Sequence, residues 1–155
     1  MSRMIFVNLP VTDLARARRF YEGLGFVNQP HFTDETAACM QWSETIFAML
    51  LTHAKWRTFT DRPIADARSS EVALALTCDS REEVTALADA AGRAGGIVDV
   101  NPLQEHGFMM SRSLADPDGH VWEVFWMDPA FAESGAAGEA PAGEAVAAAA
   151  EAHPS

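Results

Sequence analysis

Few side chains in this sequence sit where chemistry can be done, and the first of them is Glu123. It interrupts the apolar run Val121-Trp122-Glu123-Val124-Phe125. Strand alternation sets Val121, Glu123 and Phe125 on one face, so a carboxylate stands among apolar groups. That setting suits a general base, or a metal ligand if a cation is present. The alternative is a structural pair with Arg112. Glu71 opens another strand-like run after Ser69-Ser70. It is either an exposed strand end or a second carboxylate facing Glu123. Two carboxylates, joined by Asn8 or His106 and waters, make a site for a hard divalent ion such as Mg2+ or Mn2+.

His106 follows Gln104-Glu105 in a loop. A loop histidine beside a glutamate can shuttle protons near neutral pH. Arg112, in the run Met109-Met110-Ser111-Arg112, is either a bidentate holder of carboxylate or phosphate or the cation of a salt bridge. Trp42, Trp56, Trp122 and Trp126, with Phe47, Phe59 and Phe108, supply aromatic surface for a core, a pocket or a dimer face. His53 ends a strand, while His31 and His120 read as turn residues. No phosphate loop, Gly-x-Ser-x-Gly or paired catalytic Cys/His is present, and Gly92–Gly96 ends a helix where a dinucleotide fingerprint would begin one. Cys39 and Cys78 lie in apolar runs and read as buried reduced thiols.

The elements that must hold these residues come in two similar sets. Met4–Val11 reads as a strand, and Asp13 caps a helix to about Leu24 whose face is Leu14, Ala17, Tyr21 and Leu24, with Gly25 as its left-handed terminus. Strands at Phe26–Phe32, Ala37–Trp42 and Thr45–Thr52 follow. The order then repeats. Glu71–Cys78 is a strand, Ser80 and Glu83 form a capping box, and Val84, Leu87, Ala88, Ala91 and Ala94 make a helix face closed by Gly95-Gly96. Strands near Ile97–Asn101, Gly107–Ala115 and His120–Trp126 complete the set, the last two joined by the turn Asp116-Pro117-Asp118-Gly119. Val7, Leu9, Val11 and Thr12 match Val72, Leu74, Leu76 and Thr77, an offset of 65 residues from Val7 to Val72. A duplication of this kind predicts an α+β fold of two tandem βαβββ units, with two curved four-stranded sheets, helices outside and a cleft between.

The chain of 155 residues suits one domain. We expect that domain over residues 1–130, with units at about 1–62 and 69–130 and a linker between them able to close over a pocket. Residues 131–155, rich in Ala, Gly and Glu, read as a disordered tail. The net charge is −11. Four glutamates from Glu133 onward, with no Lys or Arg among them, leave 11 basic against 18 acidic residues, or −7, in the domain. That balance argues against nucleic acid and anionic membrane as partners. With no signal peptide or transmembrane run in view, the expected location is cytoplasmic.

Three stretches resemble the vicinal-oxygen-chelate superfamily: FVNLPVTDLARARRFYEGLGF, CMQWSETIFAMLLT and HGFMMSRSLADPDGHVWEVFWMDP. That superfamily holds glyoxalase I, extradiol dioxygenases, and bleomycin and fosfomycin resistance proteins. The nearest resemblance is to a bacterial branch labelled "predicted lactoylglutathione lyase". It covers residues 3 to 129 and implies a glyoxalase-like cupped sheet cleft. By that resemblance the four ligand positions of metal-using members fall at Phe6, Leu50 (Met49 if the register slips), Glu71 and Glu123. Only the last two can bind a cation. The resemblance and the residue reading together give the expected site: Glu123 and His106 as reacting groups, and Phe6, Asn8, Leu50, Trp56 and Arg112 as the lining for a small-molecule ligand. Glu71 and Glu123 are left as an incomplete metal pair. The cofactor is then one divalent metal (Mn, Mg, Ni, Zn or Fe), or none. The activity is that of a lyase or dioxygenase-type enzyme, or of a metal-free binding protein, and the assembly is a homodimer.

Overall fold

A computed structural model describes residues 2–136. The first unit runs from strand β1 (Ile5–Val11) into helix α1 (Leu14–Leu24), then β2 (Val27–Asn28), β3 (Ala37–Gln41) and β4 (Ile46–Thr52). Its first sheet has the order β1-β4-β3-β2, with β1 and β4 parallel. A short helix α2 (His53–Trp56) and a linker lead to the second unit. There β5 (Ala73–Thr77), α3 (Arg81–Arg93), β6 (Ile97–Val98), β7 (Gln104–Glu105), β8 (Met109–Ala115) and β9 (Val121–Met127) follow, and α4 (Pro129–Ala136) closes the described chain. The second sheet has the order β5-β9-β8-β6, with β7 paired to β8. The fold is thus α+β and built from two βαβββ units.

The helices form where their caps are. Asp13 accepts a hydrogen bond from the Arg16 amide, and Gly25 ends α1 at φ +106°. Ala17, Phe20, Tyr21 and Leu24 make the buried face of α1. Ser80 accepts from the Glu83 amide, while the Glu83 carboxylate reaches the Asp79 amide one residue before the expected partner. Each helix covers one face of its own sheet and the two helices pack on each other, so one apolar core joins the units. Leu9 and Val11 of β1, Ala48 and Leu50 of β4, and Trp122 and Val124 of β9 all point into it.

Several expectations shift. The strand expected at Phe26–Phe32 stops at Asn28, because Pro30 cannot donate to a ladder and opens a 3-10 turn over Pro30–Phe32. The strand expected at Ile97–Asn101 ends at Val98, where Asp99 takes φ 55°. The second sheet gains a fifth short strand, β7. Of the tail expected from residue 131, the first six residues lie in α4, with Phe131 stacked on Phe108 at 3.9 Å between ring centroids. Residues 137–155 lie outside the described residues. No helix among the described residues is long and apolar enough to cross a membrane.

Candidate functional site

Each sheet has one face sealed by its helix, so its open surface is the other face. On the first sheet that open face carries Phe6, Asn8 and Pro10 of β1, next to Phe47, Met49 and Leu51 of β4. Phe6 is 47% exposed and stacks on Phe47, with centroids 4.5 Å apart and planes at 8°. Asn8 is exposed beside Met49. Leu50, expected here, is fully buried on the helix side. The slipped register, Met49, is the one that reaches the open face. Strand period explains the error, since a shift of one residue moves a side chain to the opposite face.

On the second sheet the open face carries Glu123, flanked by Ala75 of β5 and Ser113 of β8. Glu123 is half-buried and makes no hydrogen bond or ion pair with any described residue. The 65-residue repeat makes Ala75 the counterpart of Pro10. Since Pro10 pairs with Leu51 and Ala75 with Glu123, the counterpart of Glu123 in the first unit is Leu51.

Other expected members of the site are elsewhere. Arg112 lies opposite Val124 and hence on the helix-covered face, where its Nε and Nη2 donate to Asp99 at 3.1 and 2.7 Å. Its hydrogen bonds to Asp99 raise the guanidinium further above its ordinary range. Of the two readings of Arg112, the salt bridge is therefore the one formed, with Asp99 as its acid. His106 is exposed in the β7–β8 connection, within 3.2 Å of the Gln104 side chain and stacked near Phe108. Its amide pairs with Met109, four residues along β8 from the Ser113 that neighbours Glu123, a separation of ~13 Å along the strand. Glu71 is exposed just before β5, and it lines a cavity of about 260 Å³ together with Trp56, Pro10 and Val121. The structure thus brings Glu71 to Trp56 and sets Phe6 beside Asn8, while Glu123 and Phe6 line none of the five cavities described.

A metal of the implied kind needs several convergent donors. Among the described residues no group of three or more His, Cys, Asp or Glu is placed to hold one. The immediate neighbours of Glu123 are a methyl group and a hydroxyl, and Phe6 turns its ring onto Phe47. The residues present do not fit a chelated divalent ion.

What places Glu123 is the turn before it. Asp116 is buried and accepts from the amides of Asp118 and His120, both at 2.9 Å. Its other oxygen accepts from the Tyr21 hydroxyl at 2.6 Å, which in turn accepts from Trp122 Nε1 at 3.0 Å. Burial raises the Tyr21 phenol well above its ordinary value, and the neighbouring Asp116 adds to the rise. Burial also raises the Asp116 carboxyl, against the opposing pull of His120 and the Tyr21 bond. This network ties the start of β9 to α1 and so fixes which face Glu123 takes. The sequence shows this segment as a turn and as part of the family resemblance, but not the buried Asp116–Tyr21 bond. The one available signal was a tyrosine on the apolar face of the first helix, which needs a buried acceptor.

A family model described as Glyoxalase/Bleomycin resistance protein/Dioxygenase superfamily matches residues 3–124. No curated protein gives a significant sequence match. Among solved structures, a hypothetical protein from S. aureus is similar at 24% identity and a TM-score of 0.68, over 81% of this chain and 95% of that one. A glyoxalase/bleomycin resistance protein/dioxygenase family enzyme from Burkholderia phytofirmans PsJN is similar at 16% identity and 0.67, over 81% and 99%. The fosfomycin resistance protein FosX from Mesorhizobium loti is similar at 18% and 0.58, over 84% and 94%. At these identities the likeness is one of fold.

Proposed function

The chain belongs to the glyoxalase/bleomycin resistance protein/dioxygenase superfamily, and from that premise we propose that it captures a small molecule without a metal, using Glu123 as the charged contact. The observation that carries this reading is Glu123 itself, a half-buried carboxylate with no partner among the described residues, on the sheet face away from the helix. An unpaired carboxylate beside apolar groups is a receptor for a cation or an N–H donor. The stacked pair Phe6–Phe47 offers a flat apolar platform, with Asn8 beside it for orientation. The ligand class is therefore a small aromatic or apolar molecule with one positive charge, drawn also by the net charge of −11. A homodimer would bring the two kinds of open face together, the platform of one copy over the carboxylate of the next. The two unpaired cysteines fit the reducing cytoplasm.

A second reading is an enzyme in which Glu123 acts as a metal-free general base, and it is favoured by the half-buried carboxylate having no partner among the described residues. Lyase or dioxygenase reactions that run through a chelated metal have no matching ligand set among the described residues. Calorimetric titration with benzylamine-type cations tests the proposal. Binding should weaken about tenfold or more in Glu123→Gln, since a charged contact is lost. Equal affinity in parent and variant would remove Glu123 from the site. Turnover of a bound ligand that is lost in the same variant would establish the second reading.

A further inference from the structure

Between the two units lies a second polar space that the reading above does not use. The linker residues Ile64, Ala65 and Ala67 roof a cavity of about 240 Å³ over Pro10, Asp118 and His120. It abuts the 260 Å³ cavity lined by Trp56, and the two share Pro10, Ile64, Ala65 and His120 as walls. The roof is seated tightly, because Gly119 takes φ +90° and a Cβ on it would collide with the Ala67 carbonyl oxygen.

Two buried polar atoms here lack partners. The Asp118 side chain is 94% buried (6% exposed). Its Oδ1 is fully engaged, accepting from the Thr12 amide and hydroxyl at 2.8 Å each, with Arg16 3.9 Å away. Its Oδ2 is buried and accepts nothing among the described residues. Trp56 Nε1 is likewise buried and donates to nothing among the described residues. His120 Nε2 is 2.7 Å from the Pro10 carbonyl, so that nitrogen donates. A buried carboxylate oxygen and a buried indole N–H each cost free energy unless something answers them. Ordered water is the bland answer. Each lobe, however, has room for a group of several heavy atoms; beside apolar walls of Pro, Ile and Ala, the Asp118 lobe also carries His53 and the Trp56 lobe Arg62 and Glu71.

We propose that this linker cavity is a binding site for a small amine that also carries a carbonyl oxygen. Its ammonium or amide N–H donates to Asp118 Oδ2, and its carbonyl accepts from Trp56 Nε1. The site shares Pro10 with the open face of the first sheet but uses neither Glu123 nor the Phe6–Phe47 platform, so it stands or falls independently of them.

Glycinamide is the probe, and the readouts are the Trp56 indole N–H and Thr12 backbone N–H signals in nitrogen-15 correlation spectra of the full chain. Saturable shifts of both are expected, with propionamide, which lacks the ammonium, binding more weakly. Asp118→Asn keeps the shape and an acceptor for Thr12, and should weaken glycinamide binding about tenfold or more. Trp56→Phe keeps a ring while removing the donor, and should weaken it as well, read at Thr12. Absence of any saturable shift in the folded parent, or undiminished binding in both variants, would overturn the proposal and leave the cavity to water alone.

Discussion

A carboxylate that loses water without gaining a partner is costly, and Glu123 is kept at that cost on an open sheet face. It was legible in the sequence because a single acid breaks an apolar strand run after a turn motif. Arg112 was less so, since its partner Asp99 is thirteen residues away across a connection whose path the sequence does not reveal. The cysteines were legible from their apolar runs, and both are buried and unpaired. Burial, with Glu83 and Asp79 nearby, pushes the Cys78 thiol up to about 12, and burial raises Cys39 as well. Both thiols therefore stay protonated and shielded, and a thiol-reactive dye at about pH 8 should label neither in the native protein and both after denaturation. Rapid native labelling would contradict that burial. Asp116 makes a pH-dependent contribution of known sign. Its carboxyl is raised in the folded state, so the stability it adds is greatest below 3.8 and is lost as pH rises through the folded value. Asp116→Asn cannot titrate. Denaturant midpoints between about pH 3 and 7 should show the parent losing stability relative to this variant as pH rises. A constant difference would show that the carboxyl is not raised.

The alternation of β4 decides which residues serve the fold and which serve a ligand. Leu50 faces the core and Met49 the open face, so truncating them should separate stability from binding. Leu50→Ala should cost about 2–5 kcal/mol in chemical denaturation, because it leaves a cavity among fixed neighbours. Met49→Ala should cost no more than about 1 kcal/mol while altering ligand affinity. The reverse order would restore the register first expected. The long strands and both main helices were readable from period and caps, since Asp13, Gly25 and Ser80 satisfy end groups wherever such helices occur. Two-residue strands such as β6 and β7 have no period to read, and α2 is a single turn. Gly119→Ala combines a strained left-handed φ with a clash against Ala67. It should lower the melting temperature and loosen the linker, seen as faster amide exchange over residues 62–71. Unchanged exchange would mean that the linker is not seated on this turn.

At the scale of the whole molecule, the duplication fixes the architecture and leaves the chemistry open. Both units use the same strand order, but the counterpart of Glu123 is Leu51, so the two open faces differ in character. The 65-residue repeat made the duplication visible in the sequence, whereas the inequality of the faces needed the strand register. Open faces carrying Phe6, with Met4 and Ile5 also exposed at the same strand start, suit contact with a second copy. Light scattering should give a dimer mass, and a monomer at working concentration would count against the shared-site arrangement. The central claim is that capture at Glu123 needs no metal. Its most direct test is metal content by mass spectrometry, on protein purified without chelator or affinity-tag metal and then equilibrated with Mn2+, Ni2+, Zn2+ or Fe2+, with Glu123→Ala beside it. The account predicts no stoichiometric metal in either protein. Stoichiometric metal in the parent that disappears in Glu123→Ala would contradict it.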